Sequence, residues 1–115
     1  MRHRRGETKL RVMFGTEIAI GPGKAELLEA IAATGSISAS AKRLGMSYRR
    51  AWLLVDTMNR CFREPLVASA TGGAGGGGAS VTTFGRRVLG HYRTMLVRVD
   101  RALDPELAAF TRLLK

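Results

Sequence analysis

The side chains that perform covalent, metal or acid–base chemistry are few in this sequence and poorly grouped. Cys61 is its only cysteine, and it has Arg60 and Arg63 beside it. Those cations would favour a thiolate, but no histidine lies at a spacing that would make it a catalytic pair. His3 sits in a basic N-terminal stretch, and His91 has Met95 rather than a second ligand four residues on. The nine acidic residues are scattered and form no carboxylate pair for proton transfer. Gly73-Ala74-Gly75-Gly76-Gly77-Gly78 satisfies G-x-G-x-x-G, yet a dinucleotide loop must open a helix and be followed by an acid about 20 residues on. Here a threonine-rich strand candidate follows, Arg98 stands at the acid's position, and Ala79-Ser80 replaces the Lys-Ser/Thr of a phosphate loop. These patterns predict no enzyme, no cofactor and no metal site.

A different grouping stands out. Lys42 and Arg43 precede Ser47-Tyr48-Arg49-Arg50, and residues 42–63 carry six basic side chains against Asp56 alone. The whole chain, 115 residues with a net charge of +10, concentrates its excess there and in the first twelve residues. That asymmetry predicts a polyanionic partner. Arginine pairs bidentately with guanine, and exposed helix N-termini such as those expected at Ser36 and Ser47 donate backbone N–H groups to phosphate.

The elements that would position these residues follow from periodicity and caps. Lys9–Phe14 alternates, with Leu10, Val12 and Phe14 expected inward, and Glu17–Ile20 would return as a second strand. Gly21-Pro22-Gly23 breaks the pattern. A helix is predicted over Lys24–Thr34 and stopped by Gly35, a second over Ile37–Leu44 between Ser36 and Gly45, and a third from Ser47 to about Phe62. Ala51, Trp52, Val55, Met58 and Phe62 form the third helix's expected core face. Short and long helices joined at Gly45-Met46 read as a helix-turn-helix. Leu66–Thr71 and Ser80–Thr83, flanking the glycine run, predict a hairpin wing. Arg86–Leu103 is a long helix in which Leu89, Tyr92, Leu96, Val99 and Leu103 step by 3 and 4, a dimerisation seam. Asp104-Pro105-Glu106 is expected to restart a short helix whose apolar side is Leu107, Phe110 and Leu114.

With those elements in order, Gly35-Ser36-Ile37-Ser38, Ala41-Lys42, Gly45-Met46-Ser47-Tyr48-Arg49, Ala51-Trp52 and Met58-Asn59 resemble the DNA-binding domain of the bacterial ModE-type molybdenum-responsive regulators. The resemblance continues through Pro65-Leu66-Val67, the stretch from Thr71 to Gly78, and Thr82-Thr83-Phe84-Gly85, and covers roughly residues 10–103. LysR-type regulators are more distantly similar. The resemblance implies a winged helix-turn-helix, a homodimer through the long C-terminal helix, and a palindromic double-stranded DNA operator. Regulators of this type carry a further molybdate-binding module. Nothing in these residues aligns with it, so no oxyanion-sensing residue is carried over.

The expected architecture is α+β and mostly helical: a basic arm over residues 1–8, a winged helix-turn-helix over 9–84 with its wing at about 66–83, and a C-terminal helical region over 85–115. The DNA-contacting residues are expected to be Ser36, Ser38, Lys42, Arg43, Ser47, Tyr48, Arg49, Arg50, Thr71, Gly73, Gly75 and Gly76, with arm residues Arg2–Arg5 as a further phosphate or minor-groove contact. Half-sites would lie about one helical turn, roughly 34–36 Å, apart or a multiple of it. A cytoplasmic, nucleoid-associated place is expected, since no apolar run reaches a membrane span and no secretory signal opens the chain. Two other classes stay open: a sequence-independent nucleic-acid coat, which explains the charge equally well, and a winged-helix protein adaptor, which would use the C-terminal apolar helix and bind DNA poorly. A role at an anionic membrane fits worst, because the arm has no apolar face.

Overall fold

The computed structural model describes residues 6–70 and 78–115. Helix α1 (Pro22–Thr34) begins two residues earlier than its periodicity suggests. Proline at the first helical position loses nothing by lacking an N–H, and Gly21 serves as the extended N-cap. Gly35, at φ +70°, turns the chain out of α1 in the left-handed region that glycine adopts without strain. Helix α2 (Ile37–Leu44) follows at once, with the Ser36 hydroxyl accepting from the Ala39 N–H at 3.0 Å. Gly45 repeats the left-handed exit, and Ser47 caps α3 (Tyr48–Cys61) by accepting from the Arg50 N–H at 3.1 Å.

The α1–α2 corner is fastened from inside. Ser40, fully buried, donates to the Ser36 carbonyl at 2.7 Å and lies 2.8 Å from the Thr34 hydroxyl, so no buried polar atom is left unmatched there. Leu27, Leu28 and Ile31 of α1, Ala41 of α2 and Ala51, Val55 and Met58 of α3 close into one core. Lys24 is buried at the edge of that core with its ammonium donating to the Ile18 carbonyl, and burial holds its pKa below the usual lysine range.

Two antiparallel hairpins flank the helices. Strands β1 (Val12–Phe14) and β2 (Glu17–Ile20) turn at Gly15 and pair with a register shift between Val12 and Met13. The expected alternation does not reach the end of β1: Leu10 and Val12 pack on the core, but Phe14 is 64% exposed. Strands β3 (Val67–Ala70) and β4 (Gly78–Val81) pair Val67 with Val81 and Ser69 with Ala79. Leu66, Val67, Ala79 and Val81 point into the core, and the Ala79 N–H donates to the Gly35 carbonyl at 2.9 Å.

Helix α4 runs unbroken from Thr83 to Thr111, so the expected stop near Leu103 and restart at Asp104 are corrected. Pro105 cannot donate to the Arg101 carbonyl, but Asp100–Glu106 is exposed throughout, where water reaches that carbonyl and the loss is tolerated. Thr82 caps the helix, accepting from the Gly85 N–H at 2.9 Å, so Thr83 belongs to α4 and not to the strand. Leu89 and Tyr92 enter the core, and Tyr92 donates to the Leu10 carbonyl at 2.7 Å.

Gly85 is where the long helix comes closest to the hairpin. A Cβ there would fall on the Leu66 carbonyl oxygen and stand 2.9 Å from Val81 Cγ1. Gly85→Ala should therefore destabilise by about 1–3 kcal/mol, the usual cost of overpacking. At Gly90 an added Cβ meets nothing within 4 Å, so Gly90→Ala should stabilise by up to about 1 kcal/mol through helix propensity. Thermal melts of the two variants should move in opposite directions.

Candidate nucleic-acid interface

Helix α3 buries a stripe centred on Ala51, Val55 and Met58, and successive residues are turned by about 100° around its axis. The opposite face therefore carries Arg49, Leu53, Asp56, Thr57 and Arg60, with Tyr48 and Trp52 on one flank and Arg50 on the other. Lys42, Arg43, Tyr48, Arg49 and Arg50 are all exposed, as the sequence leads one to expect, and Ser38 is exposed on α2. Lys42, Arg43, Arg49 and Arg50 have no ion-pair partner among the described residues, which leaves their full charge facing outward. Arg60 is different: Asp56 accepts from its Nε at 3.0 Å.

Ser36 and Ser47 are engaged as caps, so their hydroxyls serve the helices and any phosphate contact at these positions falls to backbone N–H groups. Trp52 corrects the sequence reading, which places it in the core: it is 47% exposed. Its three-residue spacing to Val55 suits either edge of the stripe, and Ala51 and Met58 centre that stripe away from it. Tyr48, Arg49 and Trp52 instead line a shallow depression of about 310 Å³. Leu53, 46% exposed, is a further surface residue that sequence reasoning missed. Plotting α3 around Ala51 and Met58 alone would have found both.

Helix α3 is tied to the β3–β4 hairpin by one side chain. Asn59 Oδ1 accepts from the N–H groups of Leu66 and Val67 at 2.8 and 3.2 Å, while Nδ2 donates to the Val67 carbonyl at 3.1 Å. The hairpin's base is thereby set beside the end of α3. Thr71, Gly73, Gly75 and Gly76, expected at the wing tip, and Arg2–Arg5 of the arm lie outside the described residues.

The five seam residues of α4 fall into two environments. Leu89 and Tyr92 are spent in this chain's own core, and Leu96 packs partly against it. Val99 is half-buried and Leu103 is 38% exposed, the same helix face continues to the exposed Phe110, and Leu114 is exposed just past the helix end. Residues 6–10 run beside the helix: besides the Leu10–Tyr92 bond, the Thr8 hydroxyl donates to Asp100 at 3.5 Å and the Gly6 N–H to the Thr111 hydroxyl at 3.2 Å.

Among the described residues no group of three or more His, Cys, Asp or Glu could hold a metal ion, and no helix is long and apolar enough to cross a membrane. No protein-family model matches the chain. Among curated proteins it is 41% identical over 96 residues to the molybdenum transport protein ModE of Azotobacter vinelandii, covering 82% of this chain and 36% of that one. It is 38% identical over 98 residues to the DNA-binding transcriptional dual regulator ModE of Escherichia coli K12, covering 85% and 37%. The molybdenum-pterin-binding protein MopB of Rhodobacter capsulatus matches at 39% over 93 residues, covering 81% and 34%. Over this stretch the chain is a ModE homologue.

The chain thus spans little more than a third of the length of the ModE proteins it matches. The aligned portion is long enough to include α1 to α3, the hairpin and most of α4, with their capped turns and basic outer face. In this ModE homologue the α3–hairpin joint rests on a single amide. Asn59→Ala would strip the partners from two backbone donors and one acceptor, and should cost about 2–4 kcal/mol by denaturant unfolding. Asn59→Asp keeps the acceptor for both N–H groups, and should cost less.

Proposed function

We propose that this chain is the DNA-reading part of a transcription regulator that binds double-stranded DNA sequence-specifically as a homodimer. The observation that carries the reading is the capped helix-turn-helix with Lys42, Arg43, Arg49 and Arg50 exposed and without an ion-pair partner among the described residues. Its relatives include proteins named as transcriptional regulators. In this reading α3 enters the major groove by its N-terminal turns, with Arg49 and Arg50 at bases and phosphates. Lys42, Arg43 and Ser38 of α2, together with the α2 and α3 N-termini at Ser36 and Ser47, face the backbone. Thr71, Gly73, Gly75 and Gly76 are assigned to the flanking backbone on their sequence alone. The relatives' names speak of molybdenum; for this chain the proposal is confined to reading DNA.

Dimerisation is assigned to the outer part of α4. Because Leu89 and Tyr92 are occupied within the chain, the pairing surface is Val99, Leu103, Phe110 and Leu114, with Leu96 at its inner edge. A second copy would cover a face that is otherwise wet.

Fluorescence anisotropy against duplexes selected from a random pool tests the reading. Selected palindromes should bind at least about 10³-fold more tightly than random DNA. Arg49→Ala and Arg50→Ala should each lose about 1–3 kcal/mol of that discrimination. Equal affinity for all duplexes, collapsing as salt rises, would instead identify a charge-driven coat. Leu103→Glu should sediment as a monomer while keeping the wild-type melting behaviour of the isolated fold; a variant that remains dimeric would move the interface elsewhere.

A further inference from the structure

Three large apolar side chains stand on the first two turns of α3 where a solvated helix would carry polar ones: Tyr48 at 55%, Trp52 at 47% and Leu53 at 46% exposure. Tyr48 and Trp52, one turn apart, form two walls of the depression beside Arg49. Arg49 lines that depression with them, Arg50 stands on the other flank of α3, and Lys42 and Arg43 are exposed on α2; none of the four has an ion-pair partner among the described residues. An apolar patch on a helix-turn-helix surface that also carries four free cations is poorly matched to a protein partner, which would have to neutralise those cations and fill the depression together. Duplex DNA does both. Its phosphates meet the cations, and the floor of its major groove offers one substantial apolar group, the thymine C5-methyl.

We propose that Trp52 and Tyr48 read thymine methyl groups, and so make the recognition helix specific for thymine at one or two positions of each half-site. The inference rests on the DNA-reading function proposed above and adds to it the base class that the apolar part of α3 selects. Arginine contacts alone would favour guanine. The aromatic pair adds an apolar requirement that hydrogen bonding cannot supply, because uracil presents the same O4 acceptor as thymine and lacks only the methyl.

The test replaces each thymine of a selected duplex with deoxyuridine, one position at a time, and measures affinity by anisotropy. At one or two positions per half-site the wild-type chain should bind about fourfold more weakly, the worth of one buried methyl. Trp52→Ala should bind thymine and uracil duplexes within twofold of one another. Arg50→Ala, on the opposite flank of α3, should bind both more weakly and keep the fourfold ratio. Trp52 is the chain's only tryptophan, so its emission supplies a readout without substitution: the selected duplex should shield it from acrylamide quenching.

Specific binding that ignores every thymine methyl would overturn the inference and leave the proposed function standing. So would a thymine preference unchanged in both Trp52→Ala and Tyr48→Ala, or quenching unaffected by DNA. Tighter binding to the single strand than to the duplex would mean that the aromatics stack on bases, which also overturns it. Absence of specific binding to any duplex would remove both proposals.

Discussion

The peptide groups on either side of Leu66 are where the molecule's parts meet. The Leu66 N–H donates to Asn59 at the end of α3, and its carbonyl accepts from the Thr82 N–H at 2.9 Å. The Thr82 hydroxyl donates to the neighbouring Pro65 carbonyl at 2.7 Å while capping α4. Leu66 itself is fully buried, and glycine at 85 leaves just enough room for its oxygen. Helix α3, the hairpin and the long helix are thus referred to one point by directional bonds. Apolar contact alone would hold the three together without fixing their mutual angle.

Around that point the helices are cut to length by short local signals. Serine before each of α2 and α3 satisfies an orphan N–H, and glycine after each of α1 and α2 supplies a left-handed exit. The Thr34–Ser36–Ser40 set, with Ser40 fully buried, then holds the first corner without spending apolar surface. In a chain this small the core is modest, and that economy leaves much of α3's outer surface exposed.

Local signals were also the legible ones. Both bounds of α2 and the start of α3 follow from Ser36, Gly45 and Ser47, because a cap and its partner lie within three residues. The outward set Lys42, Arg43, Tyr48, Arg49 and Arg50 follows from the same caps once the phase of α3 is known. What escaped was decided by packing at a distance. Trp52 sits at the margin of its helix's stripe, and only the contacts of Ala51 and Met58 show on which side of the margin it falls. The strand expected from Lys9 begins only at Val12, where β2 pairs with it, and no periodicity announces the extent of that pairing. Asn59 bonds to residues seven and eight positions on, and Thr82 to carbonyls sixteen and seventeen positions back. Neither signals its partner in sequence. Pro105 was overread: a proline ends a helix where its missing bond cannot be replaced, and here solvent is at hand.

The strap formed by residues 6–10 has a geometric corollary. It carries the start of the described chain along α4 until Gly6 meets Thr111, four residues from Lys115. Helix α4 contains 29 residues, which puts that meeting point about 40 Å from the foot of the hairpin. Any polypeptide joined at Gly6 or at Lys115 therefore departs from a single pole, remote from α3. A tag, a fluorophore or a further folded unit attached after Lys115 starts from that pole.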